Sequence, residues 1–398
     1  MVSQSDSSLG LNSYISKKSG QRLVVAGCLS ILFICVFVGI LLTHKPKIPD
    51  DAILFVSNYG NLAGRGIFVM NSDGSNITQL SNIPSQDNSF EKLWSSLPQW
   101  IPKKSLHFVY LYDPIWSPDG AKISFLMKTA GSSNYEIYFM DVSTRQIAQV
   151  TNNDIYEAST AWSPDGQYIV FLAADVDFDP NLGTLSDIVI LNTSDYSTTT
   201  IVSRLPVNNP TWSPDNKKIV YQADNMDYSL YSIEVDSRKI TPLTDVSVIG
   251  PPDWSPNDTA ILFVCELGSL NLEVCKVDED GSNFTQLTNT PYNSIIYEAI
   301  WSPDGSKIAF IESVDISVLY NNQDLVRMIY VMNADGSGLI QLTQPTIYYS
   351  SLSWAPDGKS IVFLGDMSGD LSLYAINIDG TGLRQLTDFV ASQPSWRP

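Results

Sequence analysis

The stretch Trp301-Ser302-Pro303-Asp304-Gly305, WSPDG in one-letter code, decides the fold because it is the clearest copy of a repeated motif. Successive motif tryptophans are 42 to 53 residues apart. Proline favours a φ near about −65°, aspartate bonds to nearby amides and glycine accepts a positive φ, so the motif predicts a tight turn. Because every unit repeats it, we expect the aspartate to cap its turn and the tryptophan to pack between units. The motif or a close variant begins at Trp116, Trp162, Trp212, Trp254, Trp301 and Trp354, and Trp396 follows near the end of the chain.

Each motif is followed by the same series of short apolar runs. After Gly305 come Ile308–Glu312 and Ile329–Met332, then a second turn at Asp335–Ser337 and a run that ends at Gln341–Thr343. Short β-branched and aromatic runs joined by such turns predict antiparallel strands. With the strand that ends at the motif tryptophan, each unit has four strands in ~40–50 residues, which is the pattern of a β-propeller blade.

The number of units follows from an offset between the two ends of the repeat. The second, third and fourth strands occur seven times, and the first of these triplets starts at Ile53 without a motif before it. The chain ends on Pro394–Trp396, a first strand with no unit after it. Pairing these ends would remove two exposed sheet edges. The sequence therefore predicts an all-β fold over residues 52–398, a seven-bladed β-propeller closed by the C-terminal strand.

The Trp-Ser-Pro-Asp-Gly and Asp-Gly-(Ser/Thr)-x-x-x-Gln-Leu-Thr motifs resemble those of the TolB-like family of WD-repeat-like β-propellers. The resemblance covers roughly residues 52–398 and implies a propeller with a general binding role. TolB itself is soluble, has six blades and carries an additional amino-terminal domain. The resemblance therefore does not imply the same partner for this chain.

The charge of the chain excludes one class of function and argues against another. Among 398 residues, 42 are acidic and 23 basic, for a net charge of −19. Residues 1–50 hold five basic and two acidic residues, which leaves 18 basic against 40 acidic groups, or −22, in the rest. Such an acidic body does not bind nucleic acid through its phosphates. Only two histidines are present, and the chain has no Gly-x-Ser-x-Gly nucleophile elbow, so a non-enzymatic function is favoured. The alternative is a carbohydrate-active hydrolase or lyase that uses carboxylates at the channel.

An apolar run near the amino terminus predicts a membrane anchor. Residues 23–42 contain no charge and as a helix would span about 30 Å, the thickness of a bilayer core. We therefore expect a cytoplasmic tail at 1–22, a transmembrane helix at 23–43 and a linker at 44–51. Three basic residues precede the run and two follow it, which places the propeller outside the cytoplasm of a single-pass protein. A cleaved signal peptide, a lipoprotein box at Val25–Cys28 and a signalling receptor ectodomain are the alternatives.

The loops divide between two faces of the predicted propeller. We call the end that carries the Ser-Pro-Asp-Gly and Asp-Gly-Ser turns the short-turn face, and the opposite end the long-loop face. Three insertions, at 81–114, 174–186 and 313–326, fall on the long-loop face, where a protein or cell-envelope polymer is expected to bind. The short linker joins the propeller at the short-turn face, which we therefore expect to lie toward the membrane.

The first insertion, at about 82–114, contains the candidate binding residues. Exposed aromatic side chains suit protein or glycan recognition, although they could instead fold the insertion over the ring as a plug. The candidates are Trp94, Trp100, His107, Tyr110 and Tyr112.

Two further patterns predict a metal site and a covalent link. Asp175, Asp177, Asp179 and Asn181 place oxygen-bearing side chains at alternate positions, as at the start of a calcium loop, although a solvated acidic loop is the simpler interpretation. No other cofactor is expected. Cys265 and Cys275 lie on successive strands of the fifth unit, where a disulfide across the hairpin and two buried thiols are both open.

Overall fold

The computed structural model describes eleven segments of the chain. They are residues 47–57, 66–81, 110–128, 134–174, 185–223, 228–257, 260–268, 272–291, 294–315, 325–346 and 348–398. The chain divides into two compact units, Met1–Lys47 and Ile48–Pro398, and every described strand belongs to the second. The predicted anchor at 23–43 lies outside the described residues. Within those residues, no helix is long and apolar enough to cross a membrane.

The described part of the second unit consists of strands and turns, as an all-β, propeller-like fold requires. The strands are β1 (Ile53–Ser57), β2 (Gly66–Met70), β3 (Thr78–Gln79), β4 (Tyr110–Trp116), β5 (Lys122–Lys128), β6 (Glu136–Asp141), β7 (Ile147–Gln149), β8 (Tyr156–Trp162), β9 (Tyr168–Ala174), β10 (Ser186–Asn192), β11 (Thr198–Leu205), β12 (Val207–Trp212), β13 (Lys218–Ala223), β14 (Ser229–Glu234), β15 (Ile240–Pro242), β16 (Ser247–Trp254), β17 (Ala260–Glu266), β18 (Leu272–Asp278), β19 (Thr285–Gln286), β20 (Ser294–Trp301), β21 (Lys307–Asp315), β22 (Leu325–Asn333), β23 (Ile340–Gln341), β24 (Tyr349–Trp354), β25 (Ser360–Gly365), β26 (Ser372–Asn377), β27 (Arg384–Gln385) and β28 (Ala391–Trp396).

Antiparallel pairing groups these strands in fours. Five sheets have four strands each: β28-β1-β2-β3, β4 to β7, β8 to β11, β12 to β15 and β24 to β27. An eight-stranded sheet holds β16 to β23, and its two halves meet at a single parallel pairing of Leu272 with Ile295. Each strand that ends on a motif tryptophan contacts its counterpart in the next group, from β4 through β8, β12, β16, β20 and β24 to β28, which contacts β4.

The middle strands of each group are buried on both faces because neighbouring sheets pack against them. In β25 and β26, for example, all residues except the first of β25 and the last of β26 are buried. An aromatic ring of the second strand stacks on one of the third in five groups, with centroids 5.3 to 6.0 Å apart. These pairs are Phe55–Phe68, Phe125–Tyr138, Tyr221–Tyr231, Phe310–Tyr330 and Phe363–Tyr374.

The Trp-Ser-Pro-Asp-Gly turn has the expected structural role. Asp304 accepts hydrogen bonds from the Ser302 hydroxyl at 2.6 Å and the Ser306 amide at 3.0 Å. These bonds, led by the one from Ser302, lower the pKa of Asp304 to about 2. Trp301 is only 7% exposed. In this copy the aspartate caps its turn, as predicted. The Nε1 atoms of Trp116 and Trp162 donate hydrogen bonds to Ser395 and Ser124 of neighbouring units, which agrees with the prediction that the motif tryptophans pack between units.

The Gln-Leu-Thr motif, or a variant of it, closes the outer edge of the sheet in six units. The Thr343 hydroxyl accepts a hydrogen bond at 2.9 Å from the Ile329 amide, 14 residues earlier, and the Gln341 side chain donates to the Thr343 carbonyl at 2.8 Å. The same 14-residue bond recurs in five other units. Gly336 in the preceding turn has a φ of 85°, and a Cβ there would lie 2.9 Å from the Leu287 carbonyl oxygen of the neighbouring unit. Glycine is therefore required for both conformation and space.

The boundary of the first insertion differs from the prediction. Strand β4 begins at Tyr110, so residues 110–114 belong to a first strand and not to the insertion. The sequence obscures this strand because Asp113 and Pro114 interrupt its apolar pattern. A bulge between Tyr112 and Ile115 accommodates both residues and leaves the pairing with β5 intact on either side.

Candidate functional site

A cavity of about 290 Å³ lies where β4, β6 and β8 begin. First and third strands start at the long-loop face, so the cavity opens within that end of the fold. It is lined by Tyr112, Asp113, Leu126, Tyr135, Tyr156, Glu157, Ala158 and Ser159. The lining combines aromatic rings with carboxyl and hydroxyl groups, which is the usual composition of a site that binds a polar ligand.

Three tyrosines form a continuous aromatic wall. The rings of Tyr112 and Tyr135 meet edge to face with centroids 5.2 Å apart, and those of Tyr135 and Tyr156 do the same at 5.7 Å. The Lys128 ammonium lies 5.9 Å from the centre of the Tyr135 ring. Edge-to-face packing orients the rings, so they present a fixed aromatic surface.

Glu157 lies at the base of this wall and is only 1% exposed. Its Oε2 atom accepts hydrogen bonds from the Thr151 hydroxyl at 2.6 Å and the Ile137 amide at 3.0 Å. Its Oε1 atom accepts one from the Asn153 side chain at 3.0 Å. Burial outweighs these bonds and, with a contribution from Glu136, raises the pKa of Glu157 to about 7. Near neutral pH this carboxyl group can therefore hold or release a proton.

Asp113 supplies the second carboxyl group of the cavity. Its φ of 47° is unusual for a residue with a side chain, and the bulge in β4 holds it there. Gln393 of β28 fixes Asp113 on both sides: its side-chain amide donates to Asp113 Oδ1 at 2.8 Å, and its Oε1 accepts from the Asp113 amide at 3.3 Å. Burial raises the pKa of Asp113.

Of the predicted binding residues, Tyr110 and Tyr112 are among those that the structure describes. Tyr112 lines the cavity, and Tyr110 begins β4. Trp94, Trp100 and His107 lie outside the described residues. The four calcium candidates, Asp175, Asp177, Asp179 and Asn181, also lie outside them. Among the residues that the structure does describe, no group of three or more His, Cys, Asp or Glu side chains could hold a metal ion.

A disulfide links Cys265 of β17 to Cys275 of β18, with Cα atoms 5.8 Å apart. Cys275 pairs in register with Phe263, at the position where five other groups have a stacked aromatic ring. Both cysteines are completely buried. Cys275 therefore replaces the third-strand ring in the core of the fifth unit, and the disulfide lies apart from the cavity.

Asp113, Tyr135, Tyr156 and Glu157 were not among the site residues predicted from the sequence. The available signal was their place in the repeat. Tyr156 and Glu157 stand six and five residues before Trp162, at the start of a first strand. These positions become important only when the neighbouring unit brings Tyr112 and Tyr135 beside them.

Residues 103–290 match the model of the TolB beta propeller domain. An uncharacterized protein of Agrobacterium fabrum is 27% identical over 261 residues, which are 63% of this chain and 83% of that protein. The Tol-Pal system protein TolB of Francisella tularensis is 27% identical over 197 residues, 48% of this chain. The chain spans only 43% of the length of that TolB. These matches support a TolB-like β-propeller.

Solved structures share the fold at low sequence identity. TolB from Acinetobacter baumannii has a TM-score of 0.52 at 16% identity, with 88% of this chain and 86% of that one covered. Oligogalacturonate lyase from Vibrio parahaemolyticus has a TM-score of 0.53 at 18% identity, with 70% and 77% covered. A puromycin-hydrolyzing peptidase from Mycobacterium tuberculosis has a TM-score of 0.62 at 13% identity, with 88% and 54% covered. TolB, a lyase and a peptidase therefore share this architecture, and function depends on the site.

Proposed function

We propose that this protein is a non-enzymatic, membrane-anchored, extracytoplasmic scaffold whose long-loop face binds a protein or cell-envelope polymer. The observation that carries the proposal is the cavity between the second and third units. It joins three oriented tyrosines to two carboxyl groups at one end of a rigid fold. Aromatic side chains of this kind supply much of the binding energy at protein interfaces.

The scaffold in this proposal is a seven-bladed propeller closed by its C-terminal strand. The circuit of contacts among the seven first strands supports this count, with the two halves of the eight-stranded sheet taken as separate blades. Pairing of Trp396 with Ile53 supports closure. The Arg397 guanidinium adds hydrogen bonds of 3.0 and 3.1 Å to the carbonyls of Ile48 and Pro49, and one of 3.3 Å to that of Gly120.

These contacts also support the proposed orientation on the membrane. Gly120 belongs to a Ser-Pro-Asp-Gly turn, so residues 48 and 49 lie at the short-turn face. An anchor that precedes them would bring this face toward the bilayer and leave the cavity pointing away. The calcium loop at 175–181 and the aromatic residues of the first insertion remain part of the proposed long-loop surface.

Affinity capture from the protein's own cell envelope tests the proposal. The full-length wild type is compared with a Tyr112→Ser/Tyr156→Ser variant and with an Ile240→Ser/Leu383→Ser control on the short-turn face, where both residues are 47% exposed. We expect one identified partner to bind the wild type and the control and to be lost by the cavity variant. Equal capture by all three chains, or loss by the control alone, would place the binding surface elsewhere.

A carbohydrate-active hydrolase or lyase is the second candidate. Asp113 and Glu157 line the same cavity, and both have pKa values raised by burial, which suits general acid and base groups. New reducing or unsaturated ends released from an envelope polysaccharide by the wild type, and absent with Asp113→Asn and Glu157→Gln, would favour this function over binding alone.

A further inference from the structure

The cavity has a positional copy elsewhere in the fold. Tyr112 stands four residues before its motif tryptophan, and so does Tyr297 of the sixth unit. Tyr156 stands six residues before its tryptophan, and so does Tyr348 of the seventh. Each pair therefore brings two tyrosines together from adjacent units at equivalent points of the repeat.

The third ring of the cavity has a cation as its counterpart. Tyr135 stands two residues before Ile137, whose amide donates a hydrogen bond to the Thr151 hydroxyl. In the sixth unit Arg327 stands two residues before Ile329, whose amide donates the equivalent bond to the Thr343 hydroxyl. The Arg327 guanidinium carbon lies 4.6 Å from the Tyr297 ring centre and 4.8 Å from that of Tyr348. It also donates a hydrogen bond at 2.9 Å to the carbonyl of Tyr349. This copy therefore holds a guanidinium group of the chain itself against two tyrosine rings.

The two copies differ in charge. In the sixth unit the residue three before the motif tryptophan is Glu298, the position that Asp113 holds in the second. The Glu298 carboxylate reaches the amides of Ser351 and Leu352 at 3.0 and 3.1 Å. The shorter Asp113 bonds to Gln393 on its other side instead. A neutral tyrosine thus replaces the cation, and the carboxyl group faces a different neighbour.

A second carboxyl group has been added to the cavity. Glu157 occupies the position of Tyr349, five residues before the motif tryptophan. The sixth-unit copy therefore has Arg327 and Tyr349 at the two positions where the cavity has Tyr135 and Glu157, and Lys128 lies on the Tyr135 ring. The 290 Å³ space remains beside this acidic and aromatic lining.

We propose that the cavity binds the guanidinium group of an arginine side chain from a protein partner, beside the Tyr135 ring that stands at the position of Arg327 in the sixth unit. The guanidinium lies against the faces of Tyr112 and Tyr156 and donates hydrogen bonds to the two carboxyl groups. Stacking on aromatic rings and forked hydrogen bonding to carboxylates are the interactions that distinguish arginine from lysine. This inference rests on the proposed function and specifies the chemistry of the partner.

Titration of the full-length protein with the peptide acetyl-Gly-Arg-Gly-amide tests the proposal. The comparison peptide carries citrulline in place of arginine, which keeps the shape of the side chain and removes its charge. We expect the arginine peptide to bind at least tenfold more tightly, measured by calorimetry. Equal binding of both peptides, or binding of neither, would overturn the proposal.

A variant that supplies the cation from within the chain gives the second test. Tyr135→Arg introduces the residue that the sixth unit has at this position, Arg327. We therefore expect the variant to fold, and its thermal unfolding measures whether it does. We expect this variant to lose arginine-peptide binding at least tenfold, while the control Tyr348→Phe, in the sixth-unit copy, retains it. Unchanged binding by Tyr135→Arg contradicts the inference. If the peptides fail but the envelope partner is still captured through the cavity, only the arginine assignment fails; if both fail, so does the proposed function.

Discussion

Replacing Glu157 with glutamine should change how stability depends on pH. Burial raises the pKa of Glu157 from 4.5 to about 7 in the folded protein. The ionised group is therefore disfavoured by folding, at a cost that is absent below pH 4.5 and complete above pH 7. The shift of roughly 2.5 pKa units corresponds to about 3 kcal/mol, at about 1.36 kcal/mol per unit. The wild type should accordingly become less stable as the pH rises from 4.5 to 7.

The glutamine variant removes this cost and introduces a smaller one. Its oxygen can still accept from Thr151 and Ile137, but its amide nitrogen faces the Asn153 side-chain donor, so one hydrogen bond worth about 1 kcal/mol is lost. We expect Glu157→Gln to be about 1 kcal/mol less stable than the wild type at pH 4.5 and about 1–2 kcal/mol more stable at pH 8.

Urea unfolding between pH 4.5 and pH 8 measures both free-energy curves. The variant Asp154→Asn, which removes an exposed neighbouring carboxyl group, provides the matched control and should keep the fall in stability that is attributed to Glu157. Curves for wild type and Glu157→Gln that remain parallel over the whole range would refute the reasoning, since they would show that Glu157 does not titrate between these values in the folded state.

Three further changes test the fold. Gly336→Ala should cost about 1–3 kcal/mol in unfolding free energy, because it forces a side chain into a positive φ and against the Leu287 carbonyl. Replacing Cys265 and Cys275 together with alanine should cost at least about 2–3 kcal/mol, since a bond across ten residues restricts the unfolded chain. Arg397→Ala should accelerate amide exchange in β1 and β28 while leaving β12 to β15 unchanged, because its hydrogen bonds tie the chain end to residues 48, 49 and 120.

Each of these has a contrasting outcome. Gly358 has a similar φ of 66° but open space around its Cβ position, so Gly358→Ala should be less harmful than Gly336→Ala, and equal losses would remove the steric part of the explanation. An alanine pair at the cysteines with wild-type stability would show that the disulfide contributes nothing. If amide exchange becomes equally faster in all strands of the Arg397→Ala chain, the arginine stabilises the whole fold and not its closure in particular.

The sequence predicts the strands well because their signals are local. Turn residues such as Pro303, Asp304 and Gly305 act through their own backbone angles and nearest amides, so they identify each hairpin without knowledge of the rest. Because the same pattern recurs in successive units, a local pattern that is weak in one copy becomes a reliable indication of strands. Strand β4 is only partly recognisable because Asp113 and Pro114 depend on a bulge, which is defined by the partner strand.

The candidate site could not be predicted in the same way because it is assembled between units. Tyr112 and Tyr135 belong to one sheet and Tyr156 and Glu157 to the next, so no local pattern brings them together. The raised pKa of Glu157 is also a consequence of packing, since desolvation depends on what covers the carboxyl group. The repeat shows from sequence alone that Tyr135 and Arg327 occupy equivalent positions. That Arg327 packs on two tyrosine rings, however, is known only from the cation–ring distances of the sixth unit.

Photo-crosslinking in intact cells tests the central claim, that the long-loop face binds a partner, most directly. A benzophenone side chain at Ile155, which is 40% exposed and adjoins Tyr156, probes this face. The same group at Leu339, which is 56% exposed in a third-to-fourth-strand turn, probes the short-turn face. We predict a discrete crosslinked product with an envelope component from position 155 and none from position 339. A product from position 339 alone would contradict it.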